Sequence, residues 1–231
     1  MRTPEEWDAF YGTPNPWGSS GGPEDLARSE SLLTRLRDAH FESVVDFGCG
    51  EGRLTNELSQ LASQVVGYDI SATAVARARK RYPHIQFRQG DLLDVLQQPA
   101  ITSEPFDFVC VAEMLYYLQT DQERQAALAG LATIGRPNCL FFFSVIVTGS
   151  NKHRRYFVHE EFVQLLSEHF NVIVSFPCLA RETWGYRALR QLSLTPALQR
   201  RFIRAWTAMH GPEQAKHAGY FALKAGARQH S

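Results

Sequence analysis

Between residues 44 and 53 the chain reads Val44-Val45-Asp46-Phe47-Gly48-Cys49-Gly50-Glu51-Gly52-Arg53. β-Branched and aromatic residues suit a pleated, covered surface, so Val44 to Phe47 reads as a short buried strand. Three alternating glycines follow, a turn whose backbone can take positive φ and approach a ligand closely. From there Leu54, Leu58 and Leu61 repeat at helical spacing. Strand, glycine turn and helix in that order form the context in which a glycine motif marks a cofactor site.

The same alternation continues downstream. Gln64 to Asp69 reads as a second strand, and Ser71 caps a helix through Arg81 with Ala74, Val75 and Ala78 inward. Ile85 to Phe87 is a third strand, Phe106 to Ala112 a fourth, and Cys139 to Val147 a fifth. Thr120 and Glu123 have capping-box spacing for a helix through Thr133. A helix over His159–His169, a strand over Asn171–Phe176 and a last strand over Gly219–Ala225 complete the pattern. Such regularity specifies a doubly wound α/β fold with a seven-stranded, mostly parallel sheet and helices on both faces.

The 231 residues read as one domain. Residues 1–40 form an N-terminal lid and helix, 41–180 the cofactor-binding core, 181–215 a helical insertion shaping the substrate pocket, and 216–231 the last strand and tail. In the insertion, Thr195 caps a helix begun by Pro196. In the N-terminal segment Trp7, Phe10 and Tyr11 share a helical face, and Pro23 starts the next helix. These aromatics either pack on the sheet edge or close over a ligand.

Formal net charge is +0, which gives the whole molecule no case for nucleic-acid or membrane affinity. The balance is uneven, because residues 1–150 carry 12 Lys and Arg against 19 Asp and Glu, and residues 151–231 carry 12 against 5. The four cysteines are far apart, two of them inside apolar runs, as expected of reduced core residues. The eight histidines form no metal-binding pattern. The start of the chain lacks a signal peptide's apolar core, and the longest apolar run falls short of the roughly 20 residues that span a bilayer. A cytoplasmic protein, monomer or homodimer, is expected.

In open α/β sheets ligands bind beyond the carboxyl ends of the strands, near the switch in strand order. Asp46 to Gly52, Asp69, Asp91-Leu92 and Glu113 should converge there. A dinucleotide fingerprint, G-x-G-x-x-G, needs its third glycine at position 53, which is Arg53. Asp46 and Glu51 beside the turn would repel a pyrophosphate and favour a cationic ligand. S-adenosyl-L-methionine, with its sulfonium, its ammonium and a ribose diol that can donate to a carboxylate, fits those acids.

The four segments V-V-D-F-G-C-G-E-G-R, V-V-G-Y-D-I-S, F-R-Q-G-D-L and F-D-F-V-C-V-A-E-M-L-Y-Y-L, in order over residues 43–147, resemble class I S-adenosylmethionine-dependent methyltransferases. The resemblance implies backbone at Gly48, Cys49 and Gly50 on the methionine moiety, with Asp46 near its ammonium. It implies that Asp69 takes both ribose hydroxyls, that Asp91 accepts from the adenine amino group with Leu92 adding backbone and apolar contact, and that Ile70 flanks the ring. Trp7, Tyr11, Trp17, Arg53, Glu113 and Leu115 complete the expected cofactor contacts. A-E-M-L-Y-Y-L and Pro16-Trp17-Gly18 are similar to nodulation-type N-methyltransferases, which act on an amino-sugar oligosaccharide. The absence of (D/N)-P-P-(Y/F) after the fourth strand argues against amino methylation of DNA bases or protein glutamine.

The expected product is S-adenosyl-L-homocysteine, and the expected acceptor is nitrogen or oxygen of a small molecule such as an amine, sugar or secondary metabolite. The alternatives are an RNA-modifying methyltransferase using the basic C-terminal third, with nucleic acid the less favoured partner, or a non-catalytic cofactor-binding subunit. Candidates for a general base are Glu113, Tyr117 and His153, with His159 a further possibility; Cys49 reads as a packing residue.

Overall fold

The computed structural model describes residues 3–13, 16, 23–103, 106–148, 156–181 and 195–225. Seven strands form one sheet in the order β3-β2-β1-β4-β5-β7-β6. They are β1 (Phe41–Phe47), β2 (Ala62–Asp69), β3 (Gln86–Gln89), β4 (Phe108–Ala112), β5 (Leu140–Ile146), β6 (Phe170–Ala180) and β7 (Ala215–Lys224). The first five pair in parallel, and β7 is antiparallel to both β5 and β6. The strand order reverses between β1 and β4, which places the ligand crevice of such sheets above those two strands.

Successive strand residues face opposite sides of the sheet, and the core divides accordingly. Val45, Val109, Phe141 and Phe143 pack under α7 (Asp121–Leu131) and α8 (His159–Ser167). Their neighbours Val44, Phe108, Cys110 and Phe142 pack with Leu32 and Leu36 of α2 (Pro23–Leu36) and Leu58 of α3 (Arg53–Leu58). A strand apolar on both faces must be covered on both faces, so the sheet is doubly wound. All four cysteines are free and buried.

Local signals act as read from the sequence. Ser71 accepts a hydrogen bond from the Ala74 N–H at the start of α4 (Ala72–Arg81). Thr120 and Glu123 form the reciprocal capping box of α7. A second such box, Thr3 with Glu6, starts α1 (Pro4–Gly12), a helix that Pro4 opens. The edges differ more. β1 begins three residues earlier than the apolar run suggests, because pairing with β2 extends to Phe41↔Ala62. β6 continues to Ala180 through Pro177, and Pro without an N–H is tolerated there because β6 is an edge strand. β7 begins at Ala215, a residue assigned from sequence to the helical insertion. Two short helices, α5 (Leu92–Leu96) and α6 (Pro99–Ser103), lack a sequence signal strong enough to be read.

The insertion's helix α9 (Pro196–Ala208) packs Ile203 against Ala27 of α2 and Leu179 of β6, with Phe202 and Trp206 alongside. Arg200 and Arg204 both pair with Glu30 of α2, at 3.0 and 3.2 Å. The helix therefore buttresses α2 from behind.

Candidate active site

A cavity of about 330 Å³ lies at the carboxyl ends of β1, β2, β4 and β5, roofed by α1 and flanked by α2. Its floor is the turn after β1. Gly48, Gly50 and Gly52 have φ of 74°, 55° and 80°, values that residues with side chains rarely adopt. A Cβ on Gly52 would lie 2.6 Å from the Phe87 ring, and one on Gly50 would lie 3.0 Å from the Tyr11 hydroxyl. Glycine is required at 52 by both backbone and space.

Asp69, at the end of β2, is held rigidly. Its Oδ2 accepts the Gly50 N–H at 2.8 Å and its Oδ1 the Ser71 N–H at 2.9 Å. Burial raises its pKa above the ordinary carboxylate value, and the two backbone N–H groups oppose that rise. Each oxygen keeps a second lone pair for a further donor. Asp46, at the end of β1, is 2% exposed and receives the Thr55 hydroxyl at 2.6 Å. Burial pushes its pKa up to about 6, against the hydrogen bonds from Thr55 and Cys110. Among the described residues no cation is hydrogen-bonded to it, and Arg53 acts on it only through space, so a ligand cation would be favoured there.

Asp91 caps α5, its Oδ1 accepting the Leu93 N–H at 2.9 Å, and lines the cavity together with Ile70 and Leu92. Cys49 and Arg53 also line it. Burial drives the Cys49 thiol well above its usual range, as suits a packing residue. Arg53 pairs with Glu57 at 2.7 Å and donates to Ser29 of α2 at 3.1 Å, joining the glycine turn to that helix. Glu51 also lines the cavity but pairs with Arg77 at 2.8 Å, so its charge is largely answered within the protein.

Trp7 and Tyr11 both line the cavity and are buried, forming an apolar cluster with Ala74 of α4. Tyr117 meets the Trp7 ring edge-on, with centroids 5.0 Å apart. Packing and covering are thus the same contact. Polar contacts tie α1 to α4. Asp8 Oδ1 accepts the Ser71 hydroxyl at 2.6 Å and the Thr73 N–H at 2.9 Å, and Arg77 donates to the carbonyls of Gly12 and Thr13. Pro16 lines the cavity as well, whereas Trp17 and His153 lie outside the described residues.

Two expectations change. Leu115 sits in the core, 1% exposed, and does not line the cavity; the turn Leu115–Tyr117 presents its neighbours Met114, Tyr116, Tyr117 and Leu118 instead. His159 is likewise away from the cavity, its Nδ1 2.9 Å from the Tyr220 hydroxyl.

Glu113 follows β4 with φ 58°, left-handed backbone that costs a non-glycine residue ~1–3 kcal/mol. The turn drives its carboxylate inward among three donors. Oε1 accepts the Ser144 hydroxyl at 2.9 Å, and Oε2 accepts the Tyr116 hydroxyl at 3.2 Å and His217 Nδ1 at 2.8 Å. A carboxylate only accepts, so Nδ1 carries the hydrogen. Burial by itself would raise the Glu113 pKa, but His217, Arg28 and Ser144 outweigh it and hold the pKa at about 2. Arg28, Ser144 and His217 are the site residues that sequence reasoning missed. No short motif signals them, since they come from α2, β5 and β7, whereas Tyr116 lies within the A-E-M-L-Y-Y-L segment. Among the described residues no group of His, Cys, Asp and Glu could hold a metal.

Residues 44–138 match the family described as methyltransferase domain. Nodulation protein S of Bradyrhizobium diazoefficiens is 29% identical over 133 residues, which cover 56% of this chain and 61% of that protein. Nodulation protein S of Rhizobium tropici is 28% identical over 127 residues, covering 53% and 51%. The matched stretch thus spans about half to three fifths of these curated relatives. The crystal structure of the N-methyltransferase NodS from Bradyrhizobium japonicum WM9, in complex with S-adenosyl-L-homocysteine, superposes with a TM-score of 0.72 at 17% identity, covering 98% of this chain and 100% of that one. That likeness is one of fold.

Sheet order and glycine turn give the chain the doubly wound fold of the NodS structure, and residues 44–138 match the class described as methyltransferase domain. Within that class the chain is similar to nodulation protein S.

Proposed function

We propose that this protein transfers a methyl group from S-adenosylmethionine to nitrogen or oxygen of a small-molecule acceptor. One observation carries the reading: a single cavity runs from Asp69 and Asp91 to Glu113, past a buried carboxylate, Asp46, to which no cation among the described residues is hydrogen-bonded. Those groups suit the cofactor's polar parts. Asp69 has a free lone pair on each oxygen for the two ribose hydroxyls, held in position by the Gly50 and Ser71 amides. Asp46 would answer the ammonium, and Asp91 the adenine amino group between Ile70 and Leu92. Gly48, Cys49 and Gly50 would lie against the methionine chain. Trp7 and Tyr11 exclude water above them.

Bound there, the cofactor supplies a methyl carbon already activated by its sulfonium. What the chain adds is alignment, which can supply on the order of 7–11 kcal/mol. Glu113 is too weakly basic, with a pKa near 2, to take a proton efficiently at neutral pH. Its role in this reading is a fixed negative charge at the methionine end, while Tyr117 walls the site. Arg200 and Arg204 of the basic C-terminal third share Glu30, which answers one of their two charges within the protein. No helix among the described residues is long and apolar enough to cross a membrane.

The test is calorimetric binding of S-adenosylhomocysteine together with transfer of labelled methyl to a panel of amines, alcohols and phenols. Saturable binding and labelled product are expected. Binding without transfer to any member of the panel would favour a cofactor-binding subunit, and absence of binding would overturn the assignment.

A further inference from the structure

The inner end of the cavity is a chamber between α2 and the sheet. Arg28 and Leu32, one helical turn apart, line it from α2, and Phe142 and Ser144, alternate residues of β5, line it from below. Cys178 of β6 and the Glu113 carboxylate complete it. The carboxylate is unevenly used: among the described residues Oε2 has two donors and Oε1 has Ser144 alone, which leaves Oε1 a lone pair for a further donor.

His217 is the unexpected member. It comes from β7, paired with Ile146 of β5 and Leu179 of β6, and its side chain is 7% exposed. It is not part of the cavity wall and reaches the site only through Glu113. We propose that His217 is a positioning residue for the methyl acceptor, fixing Glu113 so that its Oε1 receives an N–H of an amine whose nitrogen is the nucleophile. This rests on the methyl-transfer reading above.

Two considerations select an amine. Methyl transfer moves positive charge from sulfur to the acceptor, and a fixed carboxylate beside the acceptor stabilises that charge where it develops. An alcohol must also lose its proton as it attacks, and a carboxylate this acidic is a poor base for that. A neutral amine attacks with its own lone pair. The new N–C bond forms as the S–C bond breaks, the bonding pair stays on sulfur, and the resulting ammonium loses its proton to water afterwards. Of the other ionisable groups beside Glu113, Arg28 on α2 supplies charge, while burial and the carboxylate itself keep Tyr116 after β4 and Cys178 on β6 protonated and neutral.

The experiment measures, at saturating S-adenosylhomocysteine, the binding of two matched pairs by ligand-observed NMR: cyclohexylamine against cyclohexanol, and glucosamine against glucose. Wild type is expected to prefer the amine in at least one pair by about tenfold, the effect of one well-placed charge. Glu113→Gln should abolish the preference, and His217→Leu should reduce it severalfold. His217→Asn, whose amide nitrogen reproduces the Nδ1 donor, should restore it. No amine preference in either pair, or an unchanged preference in Glu113→Gln, would overturn the proposal even if His217→Leu fails to fold. Failure of wild type to bind S-adenosylhomocysteine would instead count against the methyl-transfer reading.

Discussion

Asp46 and Asp69 end adjacent strands of the same sheet, yet their surroundings assign them different work. Asp69 already holds two backbone N–H groups, which orient both oxygens. In the proposed reading, replacing it with alanine removes two charge-assisted bonds to the ribose at ~1.5–3 kcal/mol each, so S-adenosylhomocysteine affinity should fall at least about a hundredfold by calorimetry. Unchanged affinity would exclude the assigned role. Asp46 titrates near 6 because burial penalises its charge. Its pKa is raised above the ordinary 3.8, so the ligand-free fold binds this proton more tightly than the unfolded chain does. The associated stability is present below about pH 4 and is lost as pH rises through about 6. Ligand affinity has the opposite trend, because only the ionised form attracts the ammonium. Between pH 7 and pH 5 the affinity should drop by about three- to tenfold, and Asp46→Asn should flatten that dependence. At Gly52, alanine meets both φ 80° and the Phe87 ring, so Gly52→Ala should destabilise by more than ~1–3 kcal/mol in denaturant melts.

At the scale of elements, α1 is held at its middle and at its C-terminal end. Asp8 supplies the N-terminus of α4 with a side-chain acceptor beside Ser71, and Arg77 grips the last carbonyls of α1. Losing a cap of this kind costs ~0.5–2 kcal/mol. Asp8→Ala should therefore speed amide exchange in α1 and weaken S-adenosylhomocysteine binding by a few-fold. Protection of β1 and β4 should stay as it is, since Val45 and Val109 take no part in that contact. Equal loss of protection throughout would show that α1 is part of the core rather than a separable cover. α9 acts at one remove: it packs behind α2, whose opposite face brings Arg28 and Leu32 to the cavity. Among residues 195–215 none lines the cavity.

For the whole molecule, one sheet carries both ends of the site, so binding and folding are linked. Cofactor product at a hundred times its dissociation constant should stabilise the fold by ~2.7 kcal/mol, or roughly 5–10 °C in a melt of a domain this size. The cofactor half was legible from residues alone because its parts are local. Each strand, turn and helix lies within one βα unit, with its acid, caps and apolar stripe only a few residues apart. The acceptor half was not. Glu113 is recognisable as a strand-end acid, but its pKa near 2 depends on His217, 104 positions away in the chain. That contact exists because β7 inserts between β5 and β6, a pairing of long apolar strands that no short motif records. Local patterning by itself determined the class of fold and the strand ends on which the glycine turn, Asp69 and Asp91 stand. Only the tertiary structure decided what surrounds Glu113, because the strand order brings distant side chains together there.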